Sequence, residues 1–383
     1  MTPAPLGPPV IGTGRAIDLP VPRVRARRPE PPSPPPAGPL PEVLEDRHGR
    51  TVRDLRLSLT DRCNLRCTYC MPAEGMDWLP SPSLLSAEEI IRLARLAVTR
   101  LGVERIRLTG GEPLMRRDLE EVVAGLAALR TRSGARPDIG MTTNGLGLDR
   151  RADALRRAGL ERVNISIDSL DRGDYAALTR RDRLPDVLAG IAGAQDAGLS
   201  PIKVNAVALP GAVGQRAPRL LRECLRRGWQ LRFIEHMPLG PAGSWRREEV
   251  VVVEEILGAL RAAGFELEEA GRPDRRPAAL WRVRAGEDHP GGTVGIIASV
   301  SAPFCADCDR TRITADGRLM TCLFSCAETD LRGPMRAGAS DEDLMRLWAR
   351  AAWLKPRAHG SDAAPSAGPV FSRPQRTMSA IGG

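Results

Sequence analysis

Three cysteines in one short segment are the residues of this chain best suited to redox chemistry. Cys63, Cys67 and Cys70 are spaced C-x3-C-x2-C. Clustered thiolates are the usual ligands of iron–sulfur centres, and three of them can hold three irons of a [4Fe–4S] cube while the fourth iron stays open to a small molecule. A closed zinc site is a poorer interpretation, because tetrahedral zinc needs a fourth ligand and His48 is too far back in the sequence to look like one.

A second triad, spaced C-x2-C-x13-C, consists of Cys305, Cys308 and Cys322. Cys326 could complete a closed structural site, so spacing alone supports an open and a closed site equally. Arg310 and Arg312 alternate beside this triad on one face of a predicted strand. They form a fork suited to phosphate or to a guanine edge, and a structural metal would not need that pair.

The turn Gly110-Gly111-Glu112-Pro113 follows the second predicted strand. Two glycines at a strand end let a ligand approach the backbone closely, and a carbonyl-rich turn flanked by an acid suits an ammonium group. Considered alone, the same residues fit an ordinary turn between a strand and a helix equally well.

These groups need elements that bring them together, and a βα rhythm begins near residue 49. The predicted strands are Asp54–Leu59, Arg105–Leu108, Asp138–Thr142, Arg162–Ile167, Ile202–Val207 and Gln230–Glu235. Helices are predicted near 86–100, 117–130, 149–158, 184–197 and 216–227. Repeated βα units imply a parallel sheet. We expect an incomplete (β/α)6 barrel of TIM type, with a doubly wound sheet as the alternative.

In parallel barrels, chemistry gathers at the C-terminal ends of the strands, and the chain's unusual residues follow those ends. Several cations are also predicted to converge on the barrel interior: Arg56, Arg105, Arg107, Lys203 and Arg232. Buried unpaired cations are costly. A polyanion such as a triphosphate would supply their partner.

Composition limits the classes of function. Lys and Arg number 56 against 47 Asp and Glu, a net charge of +9, which suits anionic partners. Aromatic residues make up only 3%, whereas nucleic-acid surfaces commonly stack bases on aromatic rings. A small phosphorylated ligand is therefore favoured over nucleic acid. No apolar run approaches a membrane span and no secretory signal is evident, so a cytoplasmic location is expected.

Three regions are predicted along the chain. Residues 1–48 form a proline-rich extension expected to be disordered, since 14 of the 34 prolines fall within residues 1–41. Residues 49–240 form the partial barrel. Residues 241–383 form a C-terminal α+β domain that closes the open side of the barrel; within it, 241–300 is expected to be irregular apart from a helix near 252–263, and a further helix is expected near 340–352.

Several motifs together resemble a known family. They are LRLSLTDRC ending at Cys63, the C-x3-C-x2-C loop, TGGEP at 109–113, TTNG at 142–145, RFIEHM at 232–237, CADCDRTR from Cys305, and MSAIGG at 378–383. The set, which covers about residues 50–330 and the tail, resembles the GTP 3′,8-cyclase family of radical S-adenosylmethionine (SAM) enzymes.

The resemblance implies a homodimer with two oxygen-sensitive [4Fe–4S] clusters and an external electron donor. One cluster cleaves SAM reductively, and the resulting 5′-deoxyadenosyl radical takes the 3′ hydrogen of GTP. The ribosyl radical then attacks guanine C8, and the product passes to cyclic pyranopterin monophosphate synthase.

The same resemblance implies roles for individual residues. Cys63, Cys67 and Cys70 would hold the SAM cluster, and Cys305, Cys308 and Cys322 the cluster that binds guanine. SAM contacts would be Tyr69, Gly111, Ser166 and Met237. GTP contacts would be Arg56, Arg105, Arg107, Thr142, Lys203, Arg232, Arg310, Thr311 and Arg312. A free Gly382-Gly383 end would be needed for activity.

Overall fold

The computed structural model describes residues 38–211, 213–241, 243–272, 276–362, 374 and 376–382. The expectation of disorder in the proline-rich extension falls almost entirely outside these residues. The described residues belong to one compact unit that begins at Pro35.

A single mixed sheet organises the described part of the chain. Its strands are β1 Asp54–Ser58, β2 Arg105–Thr109, β3 Asp138–Thr143, β4 Arg162–Ser166, β5 Ile202–Ala208, β6 Gln230–Glu235, β7 Leu267–Gly271, β8 Ala279–Val283, β9 Gly292–Ile297, β10 Arg310–Ile313, β11 Arg318–Met320 and β12 Thr329–Asp330. The six predicted strands correspond to β1–β6, so the alternation of β runs and helical patterns located them within a residue or two.

The sheet order is β12-β11-β10-β1-β2-β3-β4-β5-β6-β9-β8-β7. β10 pairs with β1 and β9 pairs with β6, both in parallel, so the C-terminal part of the chain extends the six-stranded barrel by one parallel strand on each side. β11, β12, β8 and β7 continue the sheet in antiparallel pairs. The incomplete α/β barrel is confirmed.

The prediction that residues 241–300 are irregular is wrong, because β7, β8 and β9 lie there. These strands are short and separated by glycine, proline and charged residues, so their sequence pattern is weak. β9 is stabilised by pairing with the edge of β6, where Val294 is in register with Leu231. Strand formation of this kind depends on tertiary context.

The helices are α1 Ala87–Arg95, α2 Leu119–Ala127, α3 Ala152–Ala158, α4 Arg172–Thr179, α5 Leu184–Asp196, α6 Val213–Arg226, α7 Val253–Ala262, α8 Arg332–Arg336, α9 Asp341–Trp353 and α10 Met378–Ile381. Helix α1 starts with a capping box, in which Ser86 Oγ accepts from the Glu89 amide and the Glu89 carboxylate accepts from the Ser86 amide. It continues as a π-helical turn over Leu96–Arg100. None of the described helices is long and apolar enough to cross a membrane.

Successive side chains of β1 point alternately to the hydrophobic core and to the barrel interior. Leu55 and Leu57 are buried in the hydrophobic core, while Arg56 between them lines a cavity on the other face of the strand. β10 has the same pattern, with Ile313 fully buried beside Leu57. One face of the sheet therefore stabilises the fold, and the other carries charge.

Replacing Ile313 by Ala tests whether β10 is an integral barrel strand. The change removes buried methyl groups next to Leu57 and should lower the free energy of unfolding by about 2–5 kcal/mol, measured by chemical denaturation under anaerobic conditions. Met115→Ala is the control, because Met115 is 44% exposed and should change stability by less than about 0.5 kcal/mol. Equal effects of the two variants would contradict this placement of β10.

Candidate active site

A cavity of about 300 Å³ opens at the C-terminal ends of the barrel strands. Among its lining residues are many of those predicted from sequence: Arg56, Cys63, Cys67, Tyr69, Cys70, Gly111, Thr142, Ser166, Arg232, Met237, Arg310 and Arg312. These residues come from six different strands or the loops that follow them. The fold therefore brings a cysteine triad and a group of arginines to the same cavity.

Other predicted residues lie elsewhere. Arg105, Arg107, Lys203, Thr311 and the cysteines of the second triad are not among the described residues that line this cavity. The Thr311 side chain is fully buried in register with Leu55, and so belongs to the opposite face of β10 from its arginine neighbours. Gly383 lies outside the described residues.

The first triad sits in the loop after β1, partly buried against the cavity. Burial raises the pKa of Cys63 to about 11 and that of Cys70 to about 12. Burial therefore disfavours the thiolate form of these neighbouring cysteines. A bound cation such as iron would stabilise their thiolates. No three His, Cys, Asp or Glu side chains of the described ranges are close enough to ligate a single ion. This spacing is still compatible with a [4Fe–4S] cube, because each thiolate of a cube binds a different iron.

The glycine pair after β2 is explained by close packing on the cysteine loop. A Cβ at Gly110 would lie 2.4 Å from the Thr60 carbonyl oxygen, and one at Gly111 would lie 2.3 Å from that of Arg62. The Gly111 amide donates to the Thr60 carbonyl at 2.7 Å. The two loops are thus fixed backbone to backbone, which requires residues without side chains.

Glu112 joins that turn to the loop after β3. Its buried carboxylate accepts hydrogen bonds from Thr143 Oγ1 at 2.6 Å, the Asn144 amide at 2.7 Å and the Leu114 amide at 3.0 Å. Burial raises the pKa of Glu112 to about 7, although these three donors favour the ionised form. A buried acid that can hold a charge therefore faces the cavity.

Asp168 has a similar connecting role that the sequence did not indicate. It accepts from the Tyr69 hydroxyl at 2.8 Å and from the Val207 amide at 2.8 Å. The tyrosine of the cysteine loop is thereby held against the ends of β4 and β5. Sequence spacing offers no signal for this contact, because the two residues are 99 positions apart.

The second triad is anchored by two basic residues that sequence reasoning missed. Lys355, only 2% exposed, donates from Nζ to the carbonyl oxygens of Cys308 at 2.6 Å and Arg310 at 2.9 Å. Arg50 Nη1 donates to the Cys305 carbonyl at 2.7 Å. Burial opposes ionisation of Cys308, but Lys355 and Arg310 hold its pKa below the usual value. This positive environment suits a thiolate ligand.

Cations inside the barrel have few partners. Burial, with a contribution from nearby arginines, lowers the pKa of Lys203 to about 7 and those of Arg107 and Arg312 to about 9. Arg56 Nε and Arg107 Nε and Nη1 are buried without a hydrogen-bond partner among the described residues. Arg105 is better paired, because it donates a hydrogen bond to Asp309, whereas Arg56 only approaches Asp54 at 3.9 Å. A bound polyanion would satisfy the unpaired donors.

The C-terminal segment also reaches this site. Met378 and Ser379 line the cavity, and the Gly382 carbonyl accepts a hydrogen bond from Arg312 Nη1. Gly382 has φ +80°, and a Cβ there would lie 2.8 Å from Thr109 Cγ2. The segment is therefore packed on the end of β2.

Comparisons with known proteins agree with this geometry. Residues 57–224 match the radical SAM superfamily, and residues 229–361 match the family described as Molybdenum Cofactor Synthesis C. A GTP 3′,8-cyclase of Mycolicibacterium smegmatis is 55% identical over 341 residues, which is 89% of this chain and 92% of that protein. One of Corynebacterium glutamicum is 54% identical over 344 residues, 89% of each chain.

The chain belongs to the GTP 3′,8-cyclase family. It is therefore a radical SAM enzyme, which uses a [4Fe–4S] cluster and SAM as cofactors. Among solved structures, it resembles Streptococcus suis SuiB bound to S-adenosylmethionine, with a TM-score of 0.52 and 14% identity, over 79% of this chain and 67% of that one. At this identity the likeness shows the fold alone.

The raised pKa of Glu112 in this cyclase predicts a pH dependence of stability. Because the folded-state pKa is about 7 against an ordinary value of 4.5, folding favours the protonated carboxyl, and stability falls as pH rises from 4.5 through 7. The wild type should lose a few kcal/mol relative to Glu112→Gln across that range. Anaerobic unfolding at several pH values measures the difference, and parallel curves for the two proteins would contradict it.

Proposed function

We propose that the cavity binds SAM and GTP side by side, with the first cysteine triad next to SAM and the interior cations next to the triphosphate. The reaction is the cyclisation of GTP to (8S)-3′,8-cyclo-7,8-dihydroguanosine 5′-triphosphate, the first step of molybdenum cofactor biosynthesis. The observation that carries the proposal is that Cys63, Cys67 and Cys70 line the same cavity as Arg56, Arg232, Arg310 and Arg312.

Cys63, Cys67 and Cys70 hold the [4Fe–4S] cluster, which supplies the electron that cleaves SAM when bound. Tyr69, Gly111, Ser166 and Met237 contact SAM, and all four line the cavity with the triad. Backbone carbonyls of the glycine turn and the buried Glu112 carboxylate suit the ammonium group of SAM. Tyr69 is held by Asp168, so the cysteine loop presents a fixed surface to this cofactor.

Cys305, Cys308 and Cys322 would hold a second [4Fe–4S] cluster, which would supply a binding site for the guanine base. Support comes from the positive surroundings of Cys308, provided by Lys355 and Arg310. Cys305 and Cys308 also lie just before β10, whose Arg310 and Arg312 line the cavity, and Cys322 follows the paired strand β11. Lys355 and Arg50 orient the loop through its carbonyl oxygens.

The substrate is bound by cations on several strands. The proposed contacts are Arg56, Arg105, Arg107, Thr142, Lys203, Arg232, Arg310, Thr311 and Arg312. Thr311 can contribute only through its backbone, because its side chain faces the core. Phosphate held at fixed donors places the ribose next to SAM and leaves little room for water, which limits side reactions of a reactive intermediate.

The proposal also covers the C-terminal tail, the domain division and the partners of the enzyme. Gly382 and Gly383 form a catalytically required tail, supported by the contact of Gly382 with Arg312. The chain divides into a barrel of residues 49–240 and a C-terminal domain of residues 241–383. It acts as a cytoplasmic homodimer with an external electron donor, and its product passes to cyclic pyranopterin monophosphate synthase.

Iron content and turnover test the two-cluster assignment. After anaerobic reconstitution, the wild type should hold about eight irons per chain, four in each cube. Replacing the first triad (Cys63, Cys67 and Cys70) or the second (Cys305, Cys308 and Cys322) by alanine should leave about four, and either change should abolish formation of the cyclised nucleotide from GTP, SAM and a reductant. Cys224→Ala is the control, because Cys224 is buried in the core. A wild type with about eight irons and no cyclised product would refute the function.

The contact of the tail is tested by Gly382→Ala. A Cβ there would meet Thr109 Cγ2 at 2.8 Å and Ser58 Cβ at 3.1 Å, so the tail must move away from Arg312. Turnover of GTP should fall at least about tenfold, with iron content unchanged. Gly134→Ala is the matched control, because Gly134 has a similar φ of +83° with nothing within 4 Å of the added Cβ. Equal turnover in the two variants would argue against a catalytic role of the tail.

A further inference from the structure

A row of arginines crosses the interior of the barrel and is interrupted by one glycine. In register across five neighbouring parallel strands stand Arg312 on β10, Arg56 on β1, Arg107 on β2, Gly140 on β3 and Arg162 on β4. Side chains at registered positions of parallel strands share a face of the sheet. Arg162, which the sequence analysis did not select, therefore continues the row.

Gly140 leaves a gap that both flanking arginines enter. A Cβ on Gly140 would lie 2.1 Å from Arg107 Nη1 and 2.5 Å from Arg162 Nη1. The two guanidinium groups thus lean over β3 from opposite sides. Any side chain at position 140 would have to displace them.

The two guanidinium groups keep unused donors in this gap. Arg162 forms an ion pair with Asp138 through Nη2, but its Nη1 is buried without a hydrogen-bond partner in the described part of the chain, as are Nε and Nη1 of Arg107. Two like charges with unpaired buried donors are unfavourable unless an anion joins them. The gap is therefore chemically suited to an oxyanion.

The depth of Arg162 in the barrel indicates what kind of anion could bind there. Arg162 begins β4, and Ser166, which lines the cavity, ends it. Four residues of strand span about 13 Å, so Arg162 lies well below the rim where the first cysteine triad opens. A ligand whose reacting part is at the rim would reach this depth only with an extended anionic end.

We propose that Arg162 is a further substrate-binding residue, which together with Arg107 binds the terminal phosphates of GTP across the gap left by Gly140. The inference rests on the proposed function and extends it, since it adds a residue to the phosphate site and gives Gly140 a role in keeping that site open. It also predicts that the site binds a triphosphate more tightly than a monophosphate.

Titration calorimetry of the anaerobically reconstituted enzyme with GTP and with GMP tests the proposal. Gly140→Ala and Arg162→Gln should each weaken GTP binding by about 10- to 100-fold, the range expected for losing a charged hydrogen bond, and should change GMP binding by less than about threefold. The atoms that Gly140→Ala displaces are the ends of flexible side chains, so this variant remains informative even if Arg162→Gln does not fold.

Gly258→Ala on α7 and Arg157→Gln on α3 are the matched controls, because both positions are exposed, and they should bind GTP like the wild type. GTP affinity in Gly140→Ala within threefold of the wild type, or equal weakening of GTP and GMP, would overturn the inference. Failure of the wild type to bind GTP would instead refute the proposed function, so the two failures are distinguishable.

Discussion

Parallel strand register concentrates positive charge inside this barrel, and the site depends on that constraint. Arg56, Arg107 and Arg312 are in register on adjacent strands, so their side chains share the interior face of the sheet. Burial and the neighbouring arginines lower the pKa of Arg107 and of Arg312 to about 9, because their charged forms are unfavourable in the interior. Burial opposes ionisation of Asp54, but Arg56 and Arg107 help to hold its pKa below the usual value, so this carboxylate offsets part of that unfavourable free energy. A bound polyanionic substrate would offset the rest of the unfavourable free energy of these buried arginines.

A second constraint links the cysteine loop after β1 to the glycine turn after β2. The glycine turn after β2 packs directly on the backbone of the cysteine loop after β1, and Glu112 ties the same turn to the loop after β3. Movement of any one of these loops would therefore disturb the other two. This backbone packing therefore helps to position the first cysteine triad.

Much of this arrangement was predictable from sequence, because it depends on local patterns. Their spacing selected Cys63, Cys67 and Cys70 as candidate cluster ligands, and all three line the cavity. The alternation of side chains along a strand predicted that Arg56 and Arg312 face the barrel interior. The rest depends on contacts between distant segments. The pairing of β9 with β6 and of β10 with β1 is non-local, and so are the contacts of Lys355 with Cys308 and of Arg162 with the gap at Gly140. A glycine in the middle of a strand is a weak signal until its neighbours on both sides are known.

The most direct measurement is a crystal structure of the anaerobically reconstituted enzyme with GTP bound. The account predicts that the triphosphate extends into the barrel, with phosphate oxygens within hydrogen-bond distance of Arg107 and Arg162 and the ribose beside the cavity lined by the first cysteine triad. A triphosphate lying outside the barrel, with Nη1 of Arg107 and Nη1 of Arg162 still without a hydrogen-bond partner, would contradict it.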